Sequence, residues 1–249
     1  MEEQFSRTRM LMGSAAIKTL EDSRVAVFGV GGVGGYAVEA LARSGVGALD
    51  IFDNDQVNIS NLNRQIIALH STIGQYKVDV TARRIADINP RCNVSAHKLF
   101  YLPDNADETD LTPFDYVVDC IDTVSAKLEL IRRCHALQIP IISCMGAANK
   151  MNPSLFRVVD ISETSVDPLA KIIRKKLRKE NILHFKVVWS DEEPLKPIAE
   201  SETPNAQDSD RPTPASNAFV PAAAGLVAAA EVIKDLLHQA GTFRVSTDE

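Results

Sequence analysis

Cysteine is scarce in this chain, and its spacing fits no paired metal site. The 249 residues include four cysteines, and no two of them form a C-x-x-C pair. Zinc sites of the paired type and thioredoxin-like motifs both need such pairs. The sequence therefore excludes both classes of site, and we expect no zinc. The four cysteines are Cys92, Cys120, Cys134 and Cys144.

Long apolar runs and an excess of positive charge are also missing. The longest apolar run, Phe219–Ala230, is shorter than the roughly 20 residues that a transmembrane helix needs. The chain opens without the charged and apolar regions of a signal peptide. A net charge of −6 argues against a surface coated in basic charge, although a local basic patch remains compatible with it. We expect a cytoplasmic protein that does not bind membranes.

Short β-branched runs alternate with helical periodicity over the first 150 residues. Near-continuous apolar strands separated by helices predict an α/β fold with a Rossmann-like, mostly parallel sheet and helices on both faces. The predicted strands are Arg24–Phe28, Leu49–Phe52, Val94–Leu99, Tyr116–Ile121 and Pro140–Cys144. The predicted helices lie near Val33–Ser44, Gln75–Ile88 and Ser125–Leu137.

The last 100 residues predict a smaller strand and helix region that extends this sheet. Strand-like runs at Leu155–Val159 and His184–Trp189 bracket a strongly basic helix. An acidic stretch rich in proline and serine, 190–216, predicts a long mobile loop. Pro221 then opens a helix of small residues that runs to about Leu237. We expect one domain over 1–249, with a nucleotide-binding core at 1–150 and a substrate-facing region at 151–249.

The first predicted strand leads into a glycine-rich turn at the start of a helix. Gly29, Gly31, Gly32 and Gly34 allow a tight turn and close approach of the backbone to a phosphate, which the helix N-terminus attracts. Asp53 follows the second strand, where an acid accepts hydrogen bonds from a ribose. Taken alone, this pattern is most typical of a nicotinamide or flavin enzyme.

Two cations and a further acid favour ATP over a redox dinucleotide. Arg64 and Lys77 follow Asp53, and Asp122 follows the fourth predicted strand. Arginine and lysine neutralise phosphate oxygens, which an adenylating enzyme needs as pyrophosphate leaves. Asp122 can hold Mg²⁺. We expect neither Arg64 nor Lys77 to carry core packing.

These residues, in this order, resemble the ATP-adenylating core of the ubiquitin-activating-enzyme-like superfamily. The resemblance implies that Asp53 binds the ribose, that Asn61, Arg64 and Lys77 contact the phosphates, and that Asp122 positions magnesium. It also implies a homodimer in which Arg7 reaches into the partner's site. The residues assigned to ATP in this way are Gly29, Gly31, Gly32, Gly34, Asp53, Asp55, Ser60, Asn61, Asn63, Arg64 and Lys77.

Some members of that superfamily activate the tails of ubiquitin-like proteins, and these typically carry a structural zinc or a C-terminal catalytic cysteine. This chain has no cysteine beyond Cys144, which counts against that group. The stretches Asp122–Lys127, Met145–Met151, Val166–Ala170 and Asn217–Gly225 resemble the tRNA threonylcarbamoyladenosine dehydratases instead. That resemblance implies ATP-dependent adenylation of the threonyl carboxylate and ring closure by the modification's own urea group. Activation of a sulfur-carrier or ubiquitin-like protein tail is the alternative, followed by a nucleotide-sensing scaffold and a nicotinamide oxidoreductase.

The basic helix fits an RNA substrate. Asp167 can cap this helix and Pro168 suits its first turn, while Leu169, Ile172, Ile173 and Leu177 form an apolar stripe. A solvated amphipathic helix is the alternative interpretation. The residues predicted to contact tRNA phosphates are Lys150, Lys171, Arg174, Lys175, Lys176, Arg178 and Lys179.

Overall fold

The computed structural model describes residues 3–198 and 214–244. Its seven strands are β1 (Arg24–Phe28), β2 (Ala48–Phe52), β3 (Asn93–His97), β4 (Tyr116–Asp119), β5 (Ile141–Cys144), β6 (Phe156–Asp160) and β7 (Lys186–Ser190). Its seven α-helices are α1 (Ser6–Met12), α2 (Ser14–Asp22), α3 (Gly34–Ser44), α4 (Lys77–Ile88), α5 (Val124–Leu137), α6 (Pro168–Arg178) and α7 (Val220–Gln239).

The strands form one sheet in the order β3-β2-β1-β4-β5-β7-β6. Every neighbouring pair is parallel except β6 with β7, which run antiparallel. The chain order reverses between β1 and β4, and ligands of such sheets bind beyond the carboxyl ends of the strands at this point. The predicted α/β class and the mostly parallel sheet are confirmed.

Helices cover both faces of the sheet, because alternate strand residues are apolar on each side. On one face, Val25 and Val27 of β1 belong to an apolar cluster that includes buried residues of α2, α3, α4 and α7. On the other face, Ala26 and Phe28 join a cluster with α5 and α6. The core is therefore a sheet between two helical layers, which fixes the relative positions of the strand ends.

The predicted elements were located well, with shifts of one or two residues at most ends. β4 ends at Asp119, two residues before the predicted end, because Asp119 turns inward and its Oδ1 accepts a hydrogen bond from the Ile121 amide at 3.1 Å. Helices α1 and α2 were not predicted.

Most of the loop predicted at 190–216 lies outside the described residues, although Ser190 belongs to β7. In the part of the chain that the structure describes, no helix has the length and apolar character needed to cross a bilayer.

Candidate nucleotide-binding site

The turn between β1 and α3 needs glycine at two positions. Gly29 has a φ of 87°, and a Cβ there would lie 2.8 Å from the carbonyl oxygen of Cys120. A Cβ on Gly34 would lie 1.8 Å from the carbonyl oxygen of Gly29. Both contacts are too short for a side chain, so the glycines bring the turn close against the end of β4.

This turn presents backbone donors that the protein itself does not use. Among the described residues, the amides of Gly31, Gly32, Val33 and Gly34 have no hydrogen-bond acceptor. Val33 precedes α3 without giving the helix a side-chain cap. The free amides at a helix N-terminus attract anions, so the predicted phosphate turn has the geometry that its role requires.

Asp53, which follows β2, is anchored to the glycine turn. Its Oδ2 accepts a hydrogen bond from the Val30 amide at 2.9 Å, and its Oδ1 accepts one from the Asp55 amide at 2.9 Å. Burial raises the pKa of Asp53, while Lys77 and these amides oppose the shift. A carboxylate oxygen has more than one acceptor site, so both oxygens retain the capacity to accept from a ribose hydroxyl.

Arg64 lies directly beside the glycine turn. Its Cγ is 3.5 Å from the place that a Cβ on Gly32 would occupy. Its Nη1 donates to the Ser60 carbonyl at 2.8 Å and to Asn63 Oδ1 at 2.9 Å, which leaves Nε and Nη2 for another acceptor. Asn61 is buried, and its Oδ1 accepts from the Asn58 amide at 3.0 Å. Asn61 therefore shapes the turn that carries Arg64.

Lys77, the first residue of α4, brings a cation close to Asp53. Its Nζ lies 2.6 Å from Asp55 Oδ2 and 3.9 Å from Asp53 Oδ1. The residue is only 5% exposed. Our expectation that Lys77 carries no packing is therefore wrong, because its side chain crosses the protein interior to reach two carboxylates.

Asp122 lies at the mouth of the site. It is exposed, three residues beyond β4, and its Oδ1 is 3.4 Å from the Thr123 hydroxyl oxygen. In residues 3–198 and 214–244, no group of three or more carboxylate, histidine or cysteine side chains is arranged to hold a metal. Mg²⁺ in nucleotide sites uses one or two carboxylates together with phosphate oxygens and water, so a single free carboxylate here fits that type of site.

A buried ion pair beneath Asp122 was not predicted. Lys127 Nζ donates to Asp119 Oδ2 at 2.8 Å, and both side chains are fully buried. The Ser143 hydroxyl donates to the same oxygen at 2.5 Å. This network joins β4, β5 and α5 at the strand ends where the turn to Asp122 begins. The sequence carried a signal for this pair, because Asp119 ends the apolar strand β4 and Lys127 lies on the otherwise apolar face of α5.

The C-terminal region returns to the site through the segment that precedes α7. Asn63 Nδ2 donates to the Ser216 carbonyl at 3.1 Å. Pro221 Cβ would lie 3.2 Å from a Cβ on Gly32. These contacts place the start of α7 against the glycine turn and Arg64, and the sequence patterns gave no sign of this proximity.

Lys150 does not lie on the surface, so its assignment to an exposed basic patch is wrong. The residue is 2% exposed, and its Nζ donates to the carbonyls of Ser190 and Glu192 at 3.2 and 2.7 Å. Burial lowers the pKa of Lys150. Its physical role is to hold the chain after β5 against the end of β7.

The basic helix forms as predicted. Asp167 Oδ1 accepts from the Ala170 amide at 2.9 Å, and Pro168 occupies the first turn. Asp167 Oδ2 also accepts from the Gly146 amide at 3.0 Å, which ties the helix to the loop after β5. Ile173 and Leu177 are buried, whereas Ile172 is exposed and lies outside the core.

The cationic side chains of this helix differ in whether the protein itself binds them. Arg174 Nη1 donates to the Thr164 carbonyl at 2.7 Å, so it is held against the protein. The remaining cations predicted on the helix and at its end are exposed to solvent. These are Lys171, Lys175, Lys176, Arg178 and Lys179.

Arg7 is exposed on α1, and its guanidinium makes no hydrogen bond or ion pair with the described residues. It therefore makes no polar contact with the glycine turn, Arg64 or Lys77 of its own chain. The four cysteines are buried or half-buried. Cys120 and Cys144 lie with their sulfurs 3.8 Å apart, and this contact together with burial raises the pKa of Cys120.

Comparison with known proteins agrees with this geometry. The model of the ThiF family matches residues 5–247. The chain belongs to the ThiF family. Among curated ThiF-like relatives, the tRNA threonylcarbamoyladenosine dehydratase of Bacillus subtilis is 47% identical over 98% of this chain and 99% of its own length.

Solved structures give the same result. The chain matches the crystal structure of Escherichia coli tRNA N6-threonylcarbamoyladenosine dehydratase in complex with AMP, with a TM-score of 0.87 and 33% identity over 96% of each chain. The crystal structure of that enzyme in complex with ATP gives a TM-score of 0.86 with the same coverage. The similarity thus covers both the nucleotide core and the C-terminal region of this ThiF-family chain.

Proposed function

We propose that this chain is an ATP-dependent enzyme that cyclises threonylcarbamoyladenosine in tRNA. The observation that carries this proposal is the match of nearly the whole chain, at 47% identity, to a relative of that name. The glycine turn and its two neighbouring cations support it independently, because they suit a triphosphate.

The reaction begins when an oxygen of the threonyl carboxylate attacks the α-phosphorus of ATP. A P–O bond forms, the bond to pyrophosphate breaks, and an acyl-adenylate remains. Negative charge grows on the leaving pyrophosphate, and groups that neutralise it lower the barrier. We assign this role to the free amides of the glycine turn, the guanidinium of Arg64 and the ammonium of Lys77, with Asp53 holding the ribose.

Ring closure then uses the substrate's own urea group. The urea attacks the activated acyl carbon, the ring bond forms, and the acyl–phosphate bond breaks to release AMP. The attacking group is already tethered to the acyl carbon, so its effective concentration is high and no enzyme nucleophile is needed. The raised pKa of Cys120 is consistent with chemistry that does not use a thiol.

Magnesium fits as a partner of the triphosphate. Asp122 would hold the ion from the protein side, together with phosphate oxygens. The ion would neutralise phosphate charge, and Asp122 is positioned by the Asp119 and Lys127 pair at the end of β4.

The decisive experiment is mass spectrometry of nucleosides from threonylcarbamoylated tRNA after incubation with the protein, ATP and magnesium. Loss of one water from the modified nucleoside, with one AMP per event, is the expected result. A variant in which all four cysteines become serine or alanine serves as the matched control and is expected to remain active. Loss of chemistry in that folded variant would favour activation of a protein tail.

We assign tRNA binding to the exposed face of α6. Lys171 and Lys175 lie four residues apart on this face, so their change to glutamate should weaken tRNA binding. Each phosphate contact that is lost should lower the slope of log Kd against log salt by roughly one. Lys18→Glu, at an exposed position of α2, is the control. An unchanged tRNA affinity in the double variant would show that α6 does not contact tRNA and is only a solvated amphipathic helix.

A further inference from the structure

Two apolar side chains are exposed where the loop after β5 meets the segment that precedes α7. Met151 is 56% exposed and Phe219 is 44% exposed. The ring of Phe219 contacts no aromatic or cationic side chain among the described residues. Two other aromatic side chains are exposed in the part of the chain that the structure describes, Tyr76 and Phe100. The ring of Tyr76 is covered by Lys98, whose Nζ lies 4.5 Å from the ring centroid, and Phe100 follows the edge strand β3.

The protein holds both exposed side chains in place through Asn217. The Oδ1 of Asn217 accepts from the amides of Phe219 and Val220 at 3.2 and 2.9 Å. Its Nδ2 donates to the Lys150 carbonyl at 2.8 Å and lies 3.6 Å from the Sδ of Met151. Apolar side chains that are held in contact with water gain from a ligand that covers them. Their surface is therefore prepared for a flat apolar group.

This surface lies beside the glycine turn. Phe219 is two residues from Pro221, whose Cβ would lie 3.2 Å from a Cβ on Gly32. Two residues span at most about 7 Å, so the Cα of Phe219 is no more than roughly 14 Å from that of Gly32. A molecule that reacts at phosphates on the turn can reach Phe219 if it has a short arm and a ring.

The modified nucleoside has this shape. Four bonds join adenine N6 to the threonyl carboxyl carbon, which is roughly 5 Å in an extended arm of amide-like bonds. A carboxylate placed at phosphates on the glycine turn therefore leaves the adenine at the rim of the same site. Bases in RNA loops are commonly bound by stacking on aromatic side chains.

We propose that Phe219 stacks on the adenine of the modified nucleoside, with Met151 as its apolar neighbour. The proposal rests on the proposed function, because it names the residue that receives the base of that substrate. The stack would direct the threonylcarbamoyl arm toward the glycine turn. Phe219 contacts the RNA base and not ATP, so tRNA kinetics and ATP affinity should respond differently to its substitution.

Phe219→Leu and Phe219→Tyr test the need for a ring, because leucine keeps an apolar surface and tyrosine keeps the aromatic face. In Phe219→Leu, kcat/KM for modified tRNA should fall roughly fivefold to a hundredfold, the range for the loss of one base stack. Phe219→Tyr should stay within about threefold of the unaltered protein. The Kd for ATP, measured by titration calorimetry, should be unchanged in both variants.

Leu137→Ala is the control for these kinetics. Leu137 is 43% exposed and is the last residue of α5, four residues before β5 begins. It therefore lies at the amino ends of the strands, opposite the glycine turn, and its kcat/KM should be unchanged.

Phe219→Trp gives a measurement that does not depend on turnover. The unaltered chain has a single tryptophan, Trp189, which is buried. Modified tRNA added without ATP should quench most of the emission that the new indole contributes, because a base stacks on it. Leu137→Trp should keep its emission under the same conditions.

The outcomes separate the two proposals. If the unaltered protein does not convert modified tRNA, the proposed function is wrong and the role of Phe219 fails with it. If it does, and Phe219→Leu keeps kcat/KM within about twofold or Phe219→Trp is not quenched, the stacking role is overturned while the proposed function stands. A change in the molecular mass of Phe219→Leu in light scattering would assign this ring to contact with a second copy and would also overturn the stacking role.

Discussion

The ammonium group of Lys77 lies between an exposed carboxylate and a buried one. Asp55 Oδ2, on an exposed side chain, is 2.6 Å away, and Asp53 Oδ1, on a buried side chain, is 3.9 Å away. Burial raises the pKa of Asp53, and the charge of Lys77 lowers it. The charge of Lys77 therefore opposes the protonation of Asp53 that burial favours in the free protein.

Lys77→Ala should reduce both activity and stability. Its loss leaves the Asp53 carboxylate with backbone amides only, so we expect a cost of roughly 1–3 kcal/mol, below the value for breaking a fully buried pair. Urea unfolding at neutral pH measures this cost. The double variant Lys77→Ala/Asp53→Asn should recover part of the stability and none of the activity.

Arg64→Ala is the matched comparison. Among the residues that the structure describes, its guanidinium hydrogen-bonds only to Ser60 and Asn63 of its own loop, so stability should change by no more than about 0.5 kcal/mol. Turnover should fall by roughly a hundredfold or more, as when an oxyanion donor is removed. A drop in unfolding free energy that matched the drop for Lys77→Ala would contradict this difference between the two cations.

Residue types and their order predicted that Arg64, Lys77 and Asp53 belong to one nucleotide site, and the structure places Lys77 close to Asp53. Burial could not be predicted in the same way. Lys77 and Lys150 look like surface lysines in the sequence. Each is buried, because carboxylates bind the ammonium group of Lys77 and backbone carbonyls accept hydrogen bonds from that of Lys150. Gln65 directly follows Arg64 in the sequence, yet its buried, unpaired Oε1 is visible only in three dimensions.

At the scale of elements, the Asp119 and Lys127 pair joins strand β4 to helix α5. Both side chains are fully buried, and Ser143 of β5 adds a hydrogen bond to the same carboxylate. The pair fixes the turn between β4 and α5, from which Asp122 projects. We therefore expect the strength of this pair to affect the position of Asp122.

Lys127→Met should destabilise the protein strongly, since it leaves a carboxylate buried without its cation. Breaking such a pair typically costs about 3–5 kcal/mol. Asp119→Asn in the same protein removes the charge, keeps an acceptor oxygen for the Ile121 amide and places an NH2 group that can donate to the Ser143 hydroxyl oxygen, so the double variant should regain much of the loss. Chemical denaturation of the wild type, the single variant and the double variant measures both steps. Equal stability of the single and double variants would show that the charge on Asp119 is not the cause.

Element boundaries follow local chemistry that periodicity does not contain. β3 begins at Asn93 and ends at His97, two residues before the predicted end. The ring of His97 stacks on Phe52, and its Nε2 lies 3.0 Å from Asp50 Oδ1, so the last pairing is set by side chains of β2. An apolar pattern predicts that a strand exists, whereas contacts of this kind decide where it stops.

At the scale of the whole molecule, the first and last parts of the chain build one site. Ser216 accepts a hydrogen bond from Asn63, and Pro221 packs on Gly32, although more than 150 residues separate each pair in sequence. The division into a nucleotide core and a substrate-facing region predicted from composition stays a prediction. Because Ser216 and Pro221 contact this site, removal of the C-terminal region would expose the glycine turn and Arg64.

If the protein is a dimer with shared sites, Arg7 of one copy should act in the site of the other copy. Arg7 is exposed and its side chain makes no polar contact with its own glycine turn, so we propose that it acts in the site of a second copy. Arg7→Ala and Arg64→Ala should each be inactive as pure proteins. After the two variants are unfolded, mixed in equal amounts and refolded, half of the dimers should combine one copy of each.

In such a mixed dimer, one site has an intact Arg64 and receives an intact Arg7 from the partner subunit. The other site lacks both groups. The mixture should therefore recover about one quarter of wild-type activity, measured as AMP formed on modified tRNA. If Arg7 acted within its own chain, each site of the mixed dimer would lack one arginine and no activity would return. If Arg7→Ala were active by itself, Arg7 would be a surface residue of α1 with no part in the site.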